Sequence, residues 1–466
     1  MTTPSRSAAP VATGPADSAA LIASEPRWGA GWPLTALLVL YPVWWVLGAG
    51  TLIIYVLSVP MAVALWRRRP VAVPPGFGWW LLFLGWVLLS TLMLGYNPDE
   101  TVPSTASDRL ISVAFNLAGY LAATVALLYA GNLTEAEFPR RRLIRQLGGL
   151  FIVVLAGGLL GTAAPTFEFT SPVEVLLPGA VSGNDFVRSI VHPSAAQLQE
   201  VLGFASPRPS APFGYTNTWG NCIGLLLGWF VLSWFGEHRP GRRLLGVVML
   251  ALAAIPVVYS LNRGLWLGLG LILVVTVARL VLRGHTAVLV GLVVTVVVAA
   301  VVVVSSPLTS IIAGRLDNPQ SNEGRAFTTV LTLQVISESP VLGYGSTRTA
   351  LGSSNSIAIG KSPDCPRCGN PTLGSNGQLW LVLVAQGVVG AVLFVGFFLR
   401  SLWAYRRDRT PIGDAGLLAC GLPLFFMFVY NALTMPLVVA FLSIALLWRN
   451  QRDDPAARGA ETGRGT

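Results

Sequence analysis

Apolar runs of membrane-crossing length recur from residue 33 to residue 448 and leave almost no chain free to build anything else. A helical span needs about 20 such residues, and on that ruler about twelve spans can be drawn. They are 33–49, 51–66, 77–95, 110–130, 147–164, 217–236, 244–261, 264–282, 286–305, 379–400, 414–430 and 432–448. Hydrocarbon offers backbone N–H and C=O groups no partner, so runs of this kind must be helices. The expected fold is all-α, a polytopic integral membrane bundle of about twelve transmembrane helices with a large extracytoplasmic loop. Composition agrees, with 53% hydrophobic and 11% charged residues in 466 positions. No polar stretch has room for a separate soluble enzyme domain.

Arginine clusters fall on every second connection, at Arg67 to Arg69, Arg140 to Arg145, Arg239 to Arg243, Arg279 with Arg283, Arg406 to Arg409, and Arg449 with Arg452. The positive-inside rule assigns those connections, and with them both termini, to the cytoplasm. The net charge of +10 is explained by topology and by attraction to anionic head groups, which removes the nucleic-acid reading. The first apolar run is no removable signal peptide, because it passes straight into a second run without a small-residue cleavage site. Residues 1–30 and 451–466 are biased in composition and read as disordered cytoplasmic tails around a bundle at 31–450.

Two long outer loops remain, 165–216 and 306–378, and they carry Arg188, Arg208, Arg315, Arg325, Arg348, Lys361 and Arg367. Long loops in a compact protein are often lids or binding loops. Arg263 stands between two apolar runs, and an arginine at mid-bilayer costs roughly 2.5–3.5 kcal/mol, so it asks for an anionic partner. In the second loop, Phe327, Val330, Leu331 and Val335 share a side at helical spacing. That pattern suits an amphipathic helix over 326–338 at the interface, with Arg325 at its first turn, where helix dipole and guanidinium together favour phosphate oxygens. Pro340, Gly343 and Gly345 should then turn the chain back toward the bundle. Cys365 and Cys368 lie in the same loop, where an oxidising compartment favours a local disulfide. Neither a thioredoxin-like frame nor two further zinc ligands accompany them. Cys222 and Cys420 read as small core hydrophobes. Tryptophans such as Trp44, Trp45, Trp79 and Trp80 suit interfacial belts or lipid-facing surfaces, and Tyr215 or Trp219 could stack on sugar.

Taken in order, these segments resemble the O-antigen ligase and O-antigen polymerase superfamily of bacterial membrane glycosyltransferases over about residues 31–450. Asn262-Arg263-Gly264-Leu265-Trp266-Leu267 is similar to the family's Ser-Arg-Gly start of a leucine-rich helix, with Asn for Ser. Gly324-Arg325 and Pro340-Val-Leu-Gly-Tyr-Gly345 follow the Gly-Arg and Pro-Leu-Leu-Gly-x-Gly of its large loop. Gly214-Tyr-Thr-Asn217 looks like its glycine and Pro-Asn segment, and Ala385-Gln-Gly-Val-Val-Gly390 like its Glu-x-Gly-x-x-Gly helix, with Gln386 for Glu.

The resemblance implies transfer of a glycan from a polyprenyl-diphosphate carrier to an acceptor hydroxyl at the outer face of the bacterial cytoplasmic membrane, with inversion and with neither metal nor cofactor. Implied partners are the lipid-linked donor, a glycan, lipid or protein acceptor, and membrane lipids. Arg263 and Arg325 become the candidate catalytic clamp for charge building on the departing diphosphate. Arg208, Asn217, Asn262, Glu323, Arg348, Ser375 and Asn376 become candidate substrate-binding groups. Where ligases carry His-Asn, this chain has Gly374-Ser375-Asn376-Gly377, so the family's histidine is missing. His192 is the one histidine on the outer side. Open alternatives for the proton are His192, Glu323, Glu338, attack needing little base, a changed reaction, or lost catalysis. Ligase and polymerase stay unseparated, and two rivals remain: a flippase for the same lipid-linked glycan, and a non-catalytic envelope assembly protein.

Overall fold

In a computed structural model the protein is mostly helical, and the structure describes residues 29–179, 185–200, 205–236, 239–284, 289–293, 320–352 and 369–453, with isolated ones between 296 and 314. The side chains of 185, 186, 200, 205 and 320–325 lie outside the described set. In chain order the elements are α1 (Trp32–Val39), α2 (Tyr41–Val46), α3 (Ile53–Arg67), α4 (Phe77–Ser90), α5 (Ala106–Asn132), α6 (Arg140–Ala163), α7 (Pro172–Leu176) and α8 (Asp185–Val191). The hairpin β1 (Ala196–Glu200) and β2 (Ala205–Pro209) precedes α9 (Thr216–Phe235), α10 (Pro240–Tyr259), α11 (Arg263–Leu282) and α12 (Gln320–Glu338). The two-residue strands β3 (Arg348–Thr349) and β4 (Thr372–Leu373) lead into α13 (Gln378–Tyr405), α14 (Pro411–Phe426) and α15 (Met435–Arg452).

Six of these helices, α5, α6, α9, α10, α11 and α13, are long and apolar enough to cross a membrane, and shorter apolar helices lie at α3, α4 and α14. The run 33–49 is not one span: Pro42, at the second position of α2, cannot donate a backbone hydrogen bond back into α1, and the chain breaks at Leu40. Most of the run 286–305 lies outside the described residues, as do residues 1–28 and 454–466. Helix α15 continues to Arg452, so ordered chain extends past the expected tail boundary at 451. The two long loops also contain two small antiparallel sheets that an all-α reading did not anticipate.

Helix α15 is apolar on all sides, and every residue from Met435 to Arg449 is buried, the behaviour of a core helix ringed by others. It packs against α5, α9, α13 and α14. Beside it Trp80 is fully buried, edge-on to Phe441 at 4.8 Å and Tyr120 at 5.9 Å, with its indole N–H donated to Thr124 Oγ1 at 2.7 Å. The lipid-facing expectation fails for Trp80, because a ring whose one donor is satisfied buries more apolar area inside the bundle than any aliphatic there. Trp79 beside it is exposed. Helix α11 is the outermost of the six, with Leu267, Val274 and Leu282 exposed.

The connections sort into two ends. Arg68 pairs with Glu137, Arg449 with Glu135 at 3.1 Å, and both Arg279 and Arg283 with Asp414. Asn450 accepts from Arg140 at 3.0 Å and donates to Asp408 at 2.7 Å, joining the turn at 406–409 to the same end. The other end gathers the α2–α3 turn, the described part of the first long loop, the α10–α11 turn and the α14–α15 turn.

Candidate functional site at the convergence of helix starts

Helix α10 ends at Tyr259, and the chain turns through Ser260 and Leu261 before α11 starts at Arg263. Leu261 has φ of 52°, a left-handed conformation that costs a non-glycine residue about 1–2 kcal/mol. It persists because the turn is held from outside. The Arg208 guanidinium on β2, itself buried, donates Nε–H to Ser260 O at 2.6 Å and reaches Gln199 Oε1 on β1. The same hairpin holds the start of α9: the Thr216 hydroxyl donates to Arg208 O at 3.2 Å, and its N–H to Gln197 Oε1 at 3.2 Å. Arg208 thus positions two helix starts and has its own guanidinium engaged in doing so.

Asn262 is buried at the N-cap of α11 without capping it. Its Oδ1 accepts the Tyr430 hydroxyl at 2.5 Å, and its Nδ2 donates to Asn217 Oδ1 in the first turn of α9 at 3.3 Å. The first turn of α11 is therefore left without a side-chain cap and keeps the partial positive charge of a helix N-terminus. Arg263 adds a half-buried guanidinium at that turn. Below it the α14–α15 turn is tied to the start of α13. Gln378 N–H donates to Tyr430 O at 2.8 Å, Gln378 Nε2 to the Tyr120 hydroxyl at 2.9 Å, and Ala432 N–H to Gln378 Oε1 at 3.0 Å. Buried polar groups that satisfy one another rigidify such a floor. Asn221 contributes through Nδ2, which donates to Asn431 O at 3.4 Å.

Of the residues expected at the site, Asn217 and Asn262 therefore meet, Arg263 follows Asn262 in the chain, and Arg208 braces the turn before them. Ser375 is exposed. Asn376 Nδ2 donates to Thr329 Oγ1 on α12 at 3.0 Å, tying that helix to the approach to α13. Position 325 lies one helical turn before Thr329, but the side chains of Glu323 and Arg325 are outside the described residues, as are Cys365 and Cys368. Helix α12 starts at Gln320, more than a turn before Arg325, so Arg325 does not stand at its N-terminus and lies beyond the first turn over which the helix dipole acts. The buried stripe also differs from the expected one. It is Thr328, Thr332, Val335 and Ile336, while Val330 and Leu333 are exposed. Thr332 can be buried because its hydroxyl returns to Thr328 O at 2.6 Å.

Arg348 is 2% exposed, and its donors run to the carbonyls of Met93, Tyr96, Tyr344, Ser346 and Thr347. A guanidinium has five N–H groups, so this one is committed to clamping the α4–α5 loop onto the large loop. Burial and the neighbouring Arg109 push its pKa down to about 10, which leaves it charged at neutral pH. Burial pushes the Tyr344 phenol beneath it upward. His192 in the first loop is engaged as well: Nδ1 lies 2.8 Å from Glu174 Oε2, the carboxylate of the box that caps α7. Glu338 is exposed at the end of α12. Among the described residues, no group of His, Cys, Asp and Glu could hold a metal ion.

The segment 340–345 does return to the bundle, and its seat is a break in α13. At Gly387, φ is 66° and the helical path is interrupted. Tyr344 N–H donates to Val384 O at 2.9 Å, Gly345 N–H to Ala385 O at 2.7 Å, and the Trp86 indole to Gln386 O at 2.9 Å, while Val388 N–H donates to Pro340 O at 2.7 Å. Backbone groups released by the break are thus satisfied by the loop and by Trp86 of α4, as burial in apolar surroundings requires. Tyr430, Gln378 and Tyr120 were missed as site residues. The available signal is the polar pair Tyr430-Asn431 between the apolar runs 414–430 and 432–448. No family model matches the chain, and no curated protein matches it.

Proposed function

We propose that this protein is a membrane glycan transferase that moves a saccharide from a polyprenyl diphosphate to an acceptor hydroxyl at the outer face of a bacterial cytoplasmic membrane. The observation that carries the reading is Arg263 at the uncapped first turn of α11, directly after an Asn262 held by Asn217 and Tyr430, at the end of α11 opposite Arg279 and Arg283. Cation, helix terminus and the absence of a capping side chain together suit the oxygens of a diphosphate. In the reaction the acceptor oxygen bonds to C1 of the sugar, the bond from C1 to the diphosphate oxygen breaks, and the electron pair leaves with the carrier. The acceptor proton passes to a base. Attack opposite the leaving group inverts C1. Charge grows on the bridging oxygen, so a fixed guanidinium there stabilises the transition state more than the ground state. About twelve spans with both termini inside belong to the same proposal.

The flippase reading would draw on the break in α13, since discontinuous helices line transporter sites. Here the chain's own loop fills that break, leaving no half-helix end for cargo. The non-catalytic reading draws on Ser375 in place of histidine and on the engagement of His192 by Glu174. Purified protein in lipid, supplied with a lipid-diphosphate saccharide and candidate acceptors, decides between these. The transferase reading expects released carrier diphosphate, and donor binding without release in any acceptor's presence would leave the assembly role standing instead.

A further inference from the structure

At the arginine-rich end, α11, α13 and α14 enclose a groove of about 310 Å³, lined by Leu271, Ile272, Val275, Leu402, Leu417 and Leu422 and rimmed by Arg279 and Arg406. Gly421 keeps its floor open, for a Cβ there would come no nearer than 3.8 Å to Leu402. The groove lies where α11, the least buried of the six long helices, meets α13 and α14. Its rim has a charge imbalance. Arg279 and Arg283 share the single carboxylate of Asp414, and Asp408 is turned to Thr410 and Asn450. Arg406 is exposed, lies 3.7 Å over the exposed ring of Trp403 and donates to Trp403 O. Asp408 also acts on Arg283, so three guanidinium groups against two carboxylates leave an excess of one positive charge at the mouth of an apolar slot. An exposed tryptophan stacked with arginine marks head-group depth.

We propose that this groove is a binding site for one anionic phospholipid, with an acyl chain in the slot and the phosphate between Arg279 and Arg406. Charge complementarity selects the occupant: a zwitterionic lipid would bring its own cation to a rim already rich in cations. The site is independent of the proposed transfer reaction, since its residues belong to the opposite end of the bundle.

The test takes the full-length protein from vesicles of equal phosphatidylglycerol and phosphatidylcholine and measures retained lipid by native mass spectrometry. The wild type should hold one phosphatidylglycerol in preference to phosphatidylcholine. Arg406→Gln should weaken retention about fivefold, the effect of one arginine near an anionic surface. Gly421→Leu, which fills the slot, should abolish it, whereas Gly421→Ala should retain it. Thermal unfolding of each variant identifies any that fails to fold, and Arg406→Gln, at an exposed position, keeps the test decisive. Equal retention of both lipids, indifference to Arg406→Gln, or preference for an added polyprenyl phosphate would each overturn the assignment. So would an empty groove in the wild type, the result expected if chain beyond Arg283 covers it.

Discussion

Tyr430 gives its hydroxyl to Asn262, and that one bond decides what the start of α11 can do, because an asparagine turned toward Tyr430 and Asn217 is not capping its own helix. Tyr430→Phe removes the donor and leaves Asn262 Oδ1 unpaired in a buried place, which costs about 1–3 kcal/mol. The expected result is a lower unfolding temperature together with loss of turnover. An Asn262 free to cap α11 would compete with the anion. Arg263→Ala removes the charge at the site and should reduce turnover about 10²–10³-fold, the usual cost of one preorganised donor, with the unfolding temperature unchanged. Arg348→Met should do the reverse. Carbonyls of two loops lose their shared donor, so limited proteolysis should open the large loop while any residual activity keeps its KM. Arg263 was legible because a cation interrupting apolar runs demands an explanation whatever the fold. The role of Arg348 was not, since five carbonyls from two distant segments converge on it only in three dimensions.

At the scale of elements, the break in α13 and the loop that fills it form one device. Gly387 at φ of 66° and Gly343 at φ of 65° face each other so closely that a Cβ on Gly343 would lie 2.7 Å from Gln386 N. With ψ of −170° Gly387 occupies a region essentially confined to glycine, so Gly387→Ala should cost about 1–3 kcal/mol for the backbone alone and more for the collision, lowering the unfolding temperature and releasing the 340–345 segment to hydrogen exchange. The Pro-Val-Leu-Gly-Tyr-Gly and Gln-Gly motifs could be read singly from the sequence. Their pairing could not, because nothing in either run encodes which carbonyls are freed. The split of 33–49 at Pro42 was visible in principle and was overruled by hydropathy, which counts proline as filler. The start of α12 was missed because Gln320 to Gly324 is polar, and apolar periodicity carries no information about a helix turn without apolar residues.

For the whole molecule, hydropathy sufficed for the class of fold, since only helices satisfy their own backbone in hydrocarbon. It erred at the centre, where α15 is shielded by other helices and Trp80 faces protein instead of lipid. The sorting of arginine-rich connections to one end predicts that reporters fused after Arg283 and at the C-terminus are both active on the cytoplasmic side, whereas one fused within 353–368 is active outside. The reading as a whole depends on Arg263 meeting a diphosphate. The most direct measurement is binding of radiolabelled polyprenyl diphosphate to the purified protein in lipid, wild type against Arg263→Gln, with polyprenol as competitor. Saturable binding that polyprenol does not displace, weakened at least about tenfold in Arg263→Gln, is the predicted result. Equal binding by both proteins would contradict it.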